Sequence, residues 1–203
     1  MFTGLVQGIG QIVSAEPLGP AGGVRIGVDV AAVPGFAAQV GDSIALNGAC
    51  LTATQVRGGY FVAELSRETL AKTVGLDRPG AVNVEWSLRL GDALGGHLVS
   101  GHVDGVGTVR ALTPVGESRE LVLTVDRSLA PLVAVKGSVV VNGVSLTVNR
   151  VTDMADTCEI SINLIAHTLK TTTLGRLQAG APVNIEVDLI ARYVQRMLEA
   201  RAA

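Results

Sequence analysis

The chain has 203 residues, 48 % of them hydrophobic and 17 % charged, with a formal net charge of −2. That length and apolar content suit two small domains, each with its own core. Near-neutral charge without a basic run removes the electrostatic footprint of a phosphate-backbone partner, and 3 % aromatic residues leave little surface for stacking bases, so nucleic acid is excluded as a partner.

Met1 to Val6 shows no charged region followed by an apolar one, which argues against a signal peptide. No apolar run reaches the roughly 18 residues that a membrane span needs. Two cysteines, Cys50 and Cys158, are too few for a disulfide framework. A cytoplasmic protein is expected, without membrane contact.

In chain order, a strand is predicted from about Thr3 to Val13, with a bulge or bend at Gly8 and Gly10. A Pro/Gly loop from Glu16 to Gly23 follows. Val24, Ile26, Val28 and Val30 then alternate with Arg25, Gly27 and Asp29, the period of a half-buried strand. Short strands over Ser43–Leu46, Leu51–Val56 and Tyr60–Leu65 are split by Asn47-Gly48 and Gly58-Gly59, both tight-turn signals. Ser66 is placed to cap a short helix, Arg67 to Thr73, and Val82–Trp86 makes a sixth strand.

Asn47-Gly48-Ala49-Cys50-Leu51-Thr52 then recurs as Asn142-Gly143-Val144-Ser145-Leu146-Thr147, displaced by 95 residues (142 − 47). Recurrence at half the chain length signals two copies of one module. Ser100 to Gly107 lines up with Thr3 to Gly10, His167-Thr168-Leu169 with Glu68-Thr69-Leu70, and Val183–Glu186 with Val82–Glu85. Six short strands, tight turns and one brief helix per half predict an all-β chain. Its architecture is two tandem, similar six-stranded Greek-key barrels, because closure removes exposed edges. Residues 1–94 and 95–187 form the two halves, joined by a glycine-rich link from Leu88 to Gly96. Residues 188–203 have no counterpart in the first half. Leu189, Ile190, Tyr193, Val194, Met197 and Leu198 form one stripe of a terminal amphipathic α-helix, which either packs on its own barrel or self-associates.

Among side chains with chemistry, Cys50 follows a turn, where a thiolate would reach an electrophile; a small buried hydrophobe is the competing role. Ser145 at the equivalent place counts against a purely apolar role. His97 and His102, five residues apart on an assumed strand, fall on opposite faces, so a shared metal is not expected. His102 is the better acid–base candidate. Lys136 suits a substrate carbonyl or phosphate, or a solvated turn, and Asp188 is placed to cap the terminal helix. Dinucleotide, phosphate-loop, zinc-protease and nucleophile-elbow motifs are absent from the sequence.

Met1 to Gly8, Asn47 to Thr52, Gly95 to Gly105 and Asn142 to Val148 together resemble the riboflavin synthase alpha-chain family, and the likeness runs along essentially the whole chain. The resemblance implies a homotrimer built through the terminal helices, with no metal and no cofactor. The implied activity is dismutation of two 6,7-dimethyl-8-ribityllumazine molecules: a four-carbon unit passes between them, giving riboflavin and 5-amino-6-(D-ribitylamino)uracil. An association with lumazine synthase is a further expectation. The implied first-barrel pocket is Gly4, Leu5, Val6, Cys50, Leu51, Thr52, Glu64, Leu65, Ser66, Arg67, Glu68 and Thr69. The implied second-barrel pocket is Gly101, His102, Val103, Lys136, Ser145, Leu146, Thr147, Asn163, Leu164, Ile165, Ala166, His167 and Thr168. His102 and Thr147 are the expected proton-handling groups, assisted by Asp188, with Ser145, Cys50 or water as nucleophile. Lumazine and flavin antenna proteins resemble the same family and only hold a chromophore. They lose pocket residues in one barrel, whereas Thr52 and Thr147 are both present here.

Overall fold

A computed structural model describes residues 1–20 and 22–202. The first half folds into strands β1 (Gly8–Pro17), β2 (Val24–Asp29), β3 (Ser43–Leu46), β4 (Ala49–Arg57), β5 (Tyr60–Leu65) and β6 (Gly80–Trp86), with helix α1 (Arg67–Lys72). The second half gives β7 (Gly105–Val115), β8 (Ser118–Asp126), β9 (Ser138–Val141), β10 (Val144–Asp153), β11 (Thr157–Leu164) and β12 (Pro182–Val187), with helix α2 (Ala166–Thr171). Each half closes into an antiparallel barrel, in the order β1-β2-β5-β4-β3-β6 and, equivalently, β7-β8-β11-β10-β9-β12. The terminal helix α3 runs over Leu189–Ala202.

Closure depends on bulges that bend strands around the barrel axis. They lie in β1 between Ile12 and Ser14 and in β4 between Ala53 and Gln55, and the second half repeats them in β7 and β10. The first strand therefore begins later than the sequence suggests and runs on through Pro17, with its bulge at Val13 instead of at Gly8 or Gly10. Thr3 to Gln7 precede β1 because their polar groups are taken up elsewhere, as described below.

Inward residues of each barrel form a separate core. One contains Ile12, Ile26, Leu46, Phe61 and Leu65, the other Leu121, Leu123, Ile160, Ile162 and Leu164. Between the barrels lies a third, small cluster of Phe2, Val99, Ala45 and Val140, two pairs of equivalent residues. Phe2 and Val99 bond to each other in both directions, at 2.7 and 3.1 Å. The repeated Asn-Gly turns meet at this junction. Asn47 and Asn142 have φ of 45° and 46°, Gly48 and Gly143 of 86° and 81°, the left-handed pair of a primed hairpin turn. The Gly48 and Gly143 backbones pack so closely that a Cβ on either would approach the other's amide nitrogen to 3.0 or 2.8 Å. Asn83 Nδ2 donates to the Asn142 carbonyl at 2.8 Å, and Asn184 Nδ2 to the Asn47 carbonyl at 3.0 Å. Buried amides satisfied in this reciprocal way fix the two barrels in one relation.

Candidate active site: two pockets with exchanged straps

Alternation along β4 turns Ala49, Leu51 and Ala53 into the barrel and Cys50 and Thr52 outward; along β10 it turns Ser145 and Thr147 outward in the same way. Of the five leucines expected in the pockets only Leu5 is exposed, and Leu51, Leu65, Leu146 and Leu164 are buried in barrel cores. A two-residue period sends their side chains away from the outer face, so only their backbone is available there.

Opposite each of these faces lies a short strap from the other half of the chain. Gly4-Leu5-Val6 crosses to the second barrel, where Ser145 N–H donates to the Gly4 carbonyl at 2.8 Å and Val6 packs on that barrel's core. Gly101-His102-Val103 crosses to the first barrel, where Cys50 N–H donates to the Gly101 carbonyl at 2.8 Å and Val103 packs on the first core. Gly4 and Val6 therefore lie against the second barrel, beside Ser145, while Leu5 between them lines a cleft with Gln7, Ile44 and Trp86 of the first half; Gly101, His102 and Val103 lie beside Cys50.

Two buried glutamates hold the straps. Thr3 N–H and hydroxyl both donate to Glu85 Oε1 at 2.7 Å, and Gly4 N–H donates to Oε2 at 3.0 Å. Glu186 receives Ser100 N–H, the Ser100 hydroxyl and Gly101 N–H at 2.8, 2.7 and 3.1 Å. Burial pushes the Glu85 carboxyl above its ordinary value, while the donors from Thr3 and Gly4 pull it back. Both straps turn on a glycine with positive φ, 75° at Gly4 and 79° at Gly101.

The first-barrel pocket is a cleft of about 250 Å³ lined by Cys50, His102, Val103, Glu68, Thr69 and Lys72, among others. Ser66 caps α1 by accepting from Thr69 N–H at 3.0 Å. Glu64 on the neighbouring strand pairs with Arg25 at 2.9 Å on the exposed surface, and Arg67 is exposed. In the second barrel the cap position is taken by Ile165, which is exposed and offers no side-chain acceptor. Ala166, His167 and Thr168 form the first turn of α2; His167 is exposed, and Asn163 accepts from the Ser118 hydroxyl at 2.9 Å.

Beside Ser145 stands His97, the histidine that ranks below His102 as an acid–base candidate in the sequence. His97 Nδ1 lies 2.8 Å from Ser145 Oγ. His97 to Asp104 is not a strand, apart from the bridge at Val99, so strand alternation does not govern the two histidines. His97 goes to Ser145 and His102 to Cys50. Burial lowers the His97 pKa from its usual 6.5, against the opposing charges of Asp188 and Glu186. Burial thus favours the neutral ring; which of Nδ1 and the serine oxygen donates in their bond is set by the tautomer, and Nε2 has no partner among the described residues. Gly95-Gly96 was the available signal, since a Cβ on Gly96 would strike the Thr3 carbonyl oxygen and crowd Ser145. The two faces therefore differ: serine with His97 on one, cysteine with His102 on the other.

Within one chain the structure does not join His102 with Thr147, which lies on β10 of the other barrel. Lys136, in a left-handed turn at φ 66°, extends an exposed amine to Asn149 at 3.5 Å. Asp188 caps α3, accepting from Ile190 N–H at 2.9 Å, while its charge acts on His97. No cluster suited to a metal exists among the described residues.

Comparison with known proteins matches the lumazine binding domain over residues 3–87 and again over 100–188. Riboflavin synthase of Mycobacterium tuberculosis (strain ATCC 25618 / H37Rv) is 41 % identical over 205 residues, covering 98 % of this chain and 99 % of that protein. The chain belongs to the riboflavin synthase family. The riboflavin synthase of Photobacterium phosphoreum, at 38 % identity, covers 98 % of this chain and 89 % of its own length. The crystal structure of LumP complexed with riboflavin superposes with a TM-score of 0.80 at 26 % identity, over 92 % of this chain and 99 % of that one. LumP complexed with 6,7-dimethyl-8-(1'-D-ribityl) lumazine gives 0.78 at 25 % identity, with the same coverage. Family membership accounts for the duplicated barrel and directs attention to the two outer faces where Cys50 and Ser145 stand.

Proposed function

We propose that the protein is a riboflavin synthase, converting two 6,7-dimethyl-8-ribityllumazine molecules into riboflavin and 5-amino-6-(D-ribitylamino)uracil by transfer of a four-carbon unit. The carrying observation is that the chain keeps two outer faces, each crossed by a strap, alike in frame and unlike in chemistry, while it is 41 % identical to a riboflavin synthase that it covers over 99 % of its length. A reaction that consumes one molecule twice, in unequal roles, calls for such a pair. Residues 1–94 and 95–187 are the two pocket-bearing halves. The residues named for the pockets by family resemblance, regrouped by the straps, are their walls.

Small residues at Gly4 and Gly101 let a flat pteridine approach the strand backbone, whose N–H and C=O groups match its amide edge. The 7-methyl group of lumazine is acidic because its carbanion delocalises into the ring, so a modest base suffices for the donor. At the acceptor, the Ser145 oxygen adds to an electron-poor ring carbon as its proton passes to neutral His97 Nδ1. Cys50 and His102 serve the other molecule. Holding two substrates face to face contributes most; such proximity is worth roughly 7–11 kcal/mol.

The opposed pair requires pockets from different chains, because His102 and Thr147 sit on different barrels of one chain. Residues 188–203 supply the means: Ile190, Tyr193, Val194, Met197 and Leu198 of α3 are all at least half exposed, a stripe suited to a homotrimer. Cytoplasmic residence and association with lumazine synthase complete the reading. No described helix is long and apolar enough to cross a membrane.

The test is to mix purified protein with the lumazine and follow riboflavin absorbance. Riboflavin formation is the expected result. Lumazine bound and unchanged would replace the enzyme by a chromophore carrier, a reading that the LumP likeness favours.

A further inference from the structure

The two straps are fastened at their far ends by equivalent but different residues. Gln7 N–H donates to the Val84 carbonyl at 2.9 Å, and its side-chain oxygen accepts from Trp86 N–H at 2.8 Å. Asp104 repeats this, donating to the Ile185 carbonyl at 2.8 Å and accepting from Val187 N–H at 2.8 Å. An amide oxygen is enough for that task, as the first copy shows. The carboxylate at 104 has a second use: Arg192 of α3 grips it with two bonds, Nη1 to Oδ1 at 2.8 Å and Nη2 to Oδ2 at 3.1 Å. The Asp104 side chain is 11 % exposed and that of Arg192 39 %.

We propose that the Arg192–Asp104 pair couples the seating of the terminal helix to the first-barrel pocket, making both positioning residues for the lumazine reaction assigned above, on which this inference rests. A guanidinium fork on a carboxylate fixes direction as well as distance. It therefore sets the rotation of α3 about its axis, which its packing on the turn Arg127–Leu132 constrains only along one side. Asp104 stands two residues beyond His102 and one beyond Val103, and the same strap gives its Gly101 carbonyl to Cys50. A shift of α3 thus reaches the His102 side of the Cys50 cleft, while the Gly4 strap, tied by uncharged Gln7, makes no ion pair with α3 among the described residues. Helix association and competence of one pocket become a single event.

The test uses Arg192→Ala and Asp104→Asn in the full chain; the asparagine keeps the acceptor for Val187 N–H, as Gln7 does for Trp86. Hydrogen exchange at the Cys50 and Asp104 amides should rise about tenfold in either variant, the scale of one lost charge-assisted bond, with the Ser145 and Gln7 amides unchanged. The double variant should show no further rise. Lumazine titration should find one of two sites weakened by a similar factor and the other untouched, with Arg192→Lys intermediate. Equal acceleration at both straps, or none, overturns the proposal, as do two unaltered lumazine affinities. A wild-type chain that binds no lumazine would sink the riboflavin synthase reading instead, and the exchange data would still judge the coupling.

Discussion

Replacing Gly101 by alanine tests the exchanged straps most directly. At φ 79° an L-residue pays for the left-handed conformation, roughly 1–2 kcal/mol. The new Cβ would also stand 2.6 Å from Cys50 Cβ and 3.0 Å from both Cys50 N and Phe2 Cε2. None of these is the loose end of a flexible chain, so strap or strand must shift, an overpacking cost of about 1–3 kcal/mol. Together the loss is about 2–5 kcal/mol, out of a total stability of about 5–15 kcal/mol for a typical domain. Gly58→Ala is the control: its φ is 59° and nothing lies within 4 Å of the added carbon, so it carries the conformational term alone. Urea unfolding of the two variants should therefore differ by about 1–3 kcal/mol, the overpacking term. Lumazine binding should weaken in the Cys50 pocket of Gly101→Ala and hold in the Ser145 pocket. If both variants unfold at the same urea concentration and bind alike, the Gly101 strap does not seat against Cys50 and the regrouping of the pockets fails.

Because burial keeps the His97 pKa below 6.5, the unfolded chain takes up a proton in a range where the folded one does not. Stability should therefore fall as pH drops from about 6.5, and His97→Gln should flatten that limb of a plot of urea midpoint against pH; an unchanged slope would show that His97 is not held neutral. Met197→Glu places a charge in the exposed stripe of α3, so sedimentation should report monomers that still bind lumazine on the Ser145 side yet form little riboflavin. A variant that stays oligomeric and active would remove the stripe from the interface.

Much of this protein is written locally. Period-two alternation, the Asn-Gly turns and the recurrence of one hexapeptide after 95 residues determined an all-β duplicated barrel with a terminal helix, because side-chain direction along a strand and turn geometry are properties of neighbouring residues. The bulges at Val13 and in β4 were not legible, since a bulge is a relation between two strands. Nor was the partnership of His97 with Ser145, 48 residues apart, or the crossing of Gly4 and Gly101 to opposite barrels. A strap carries no sign of which barrel will receive its carbonyl; that follows from the junction of Phe2 with Val99 and the two glutamates that hold the crossing ends. Two copies of one pocket frame are legible in local pattern. Which half completes which pocket is settled by packing, because the N–H groups of Cys50 and Ser145 find their acceptors on the other copy.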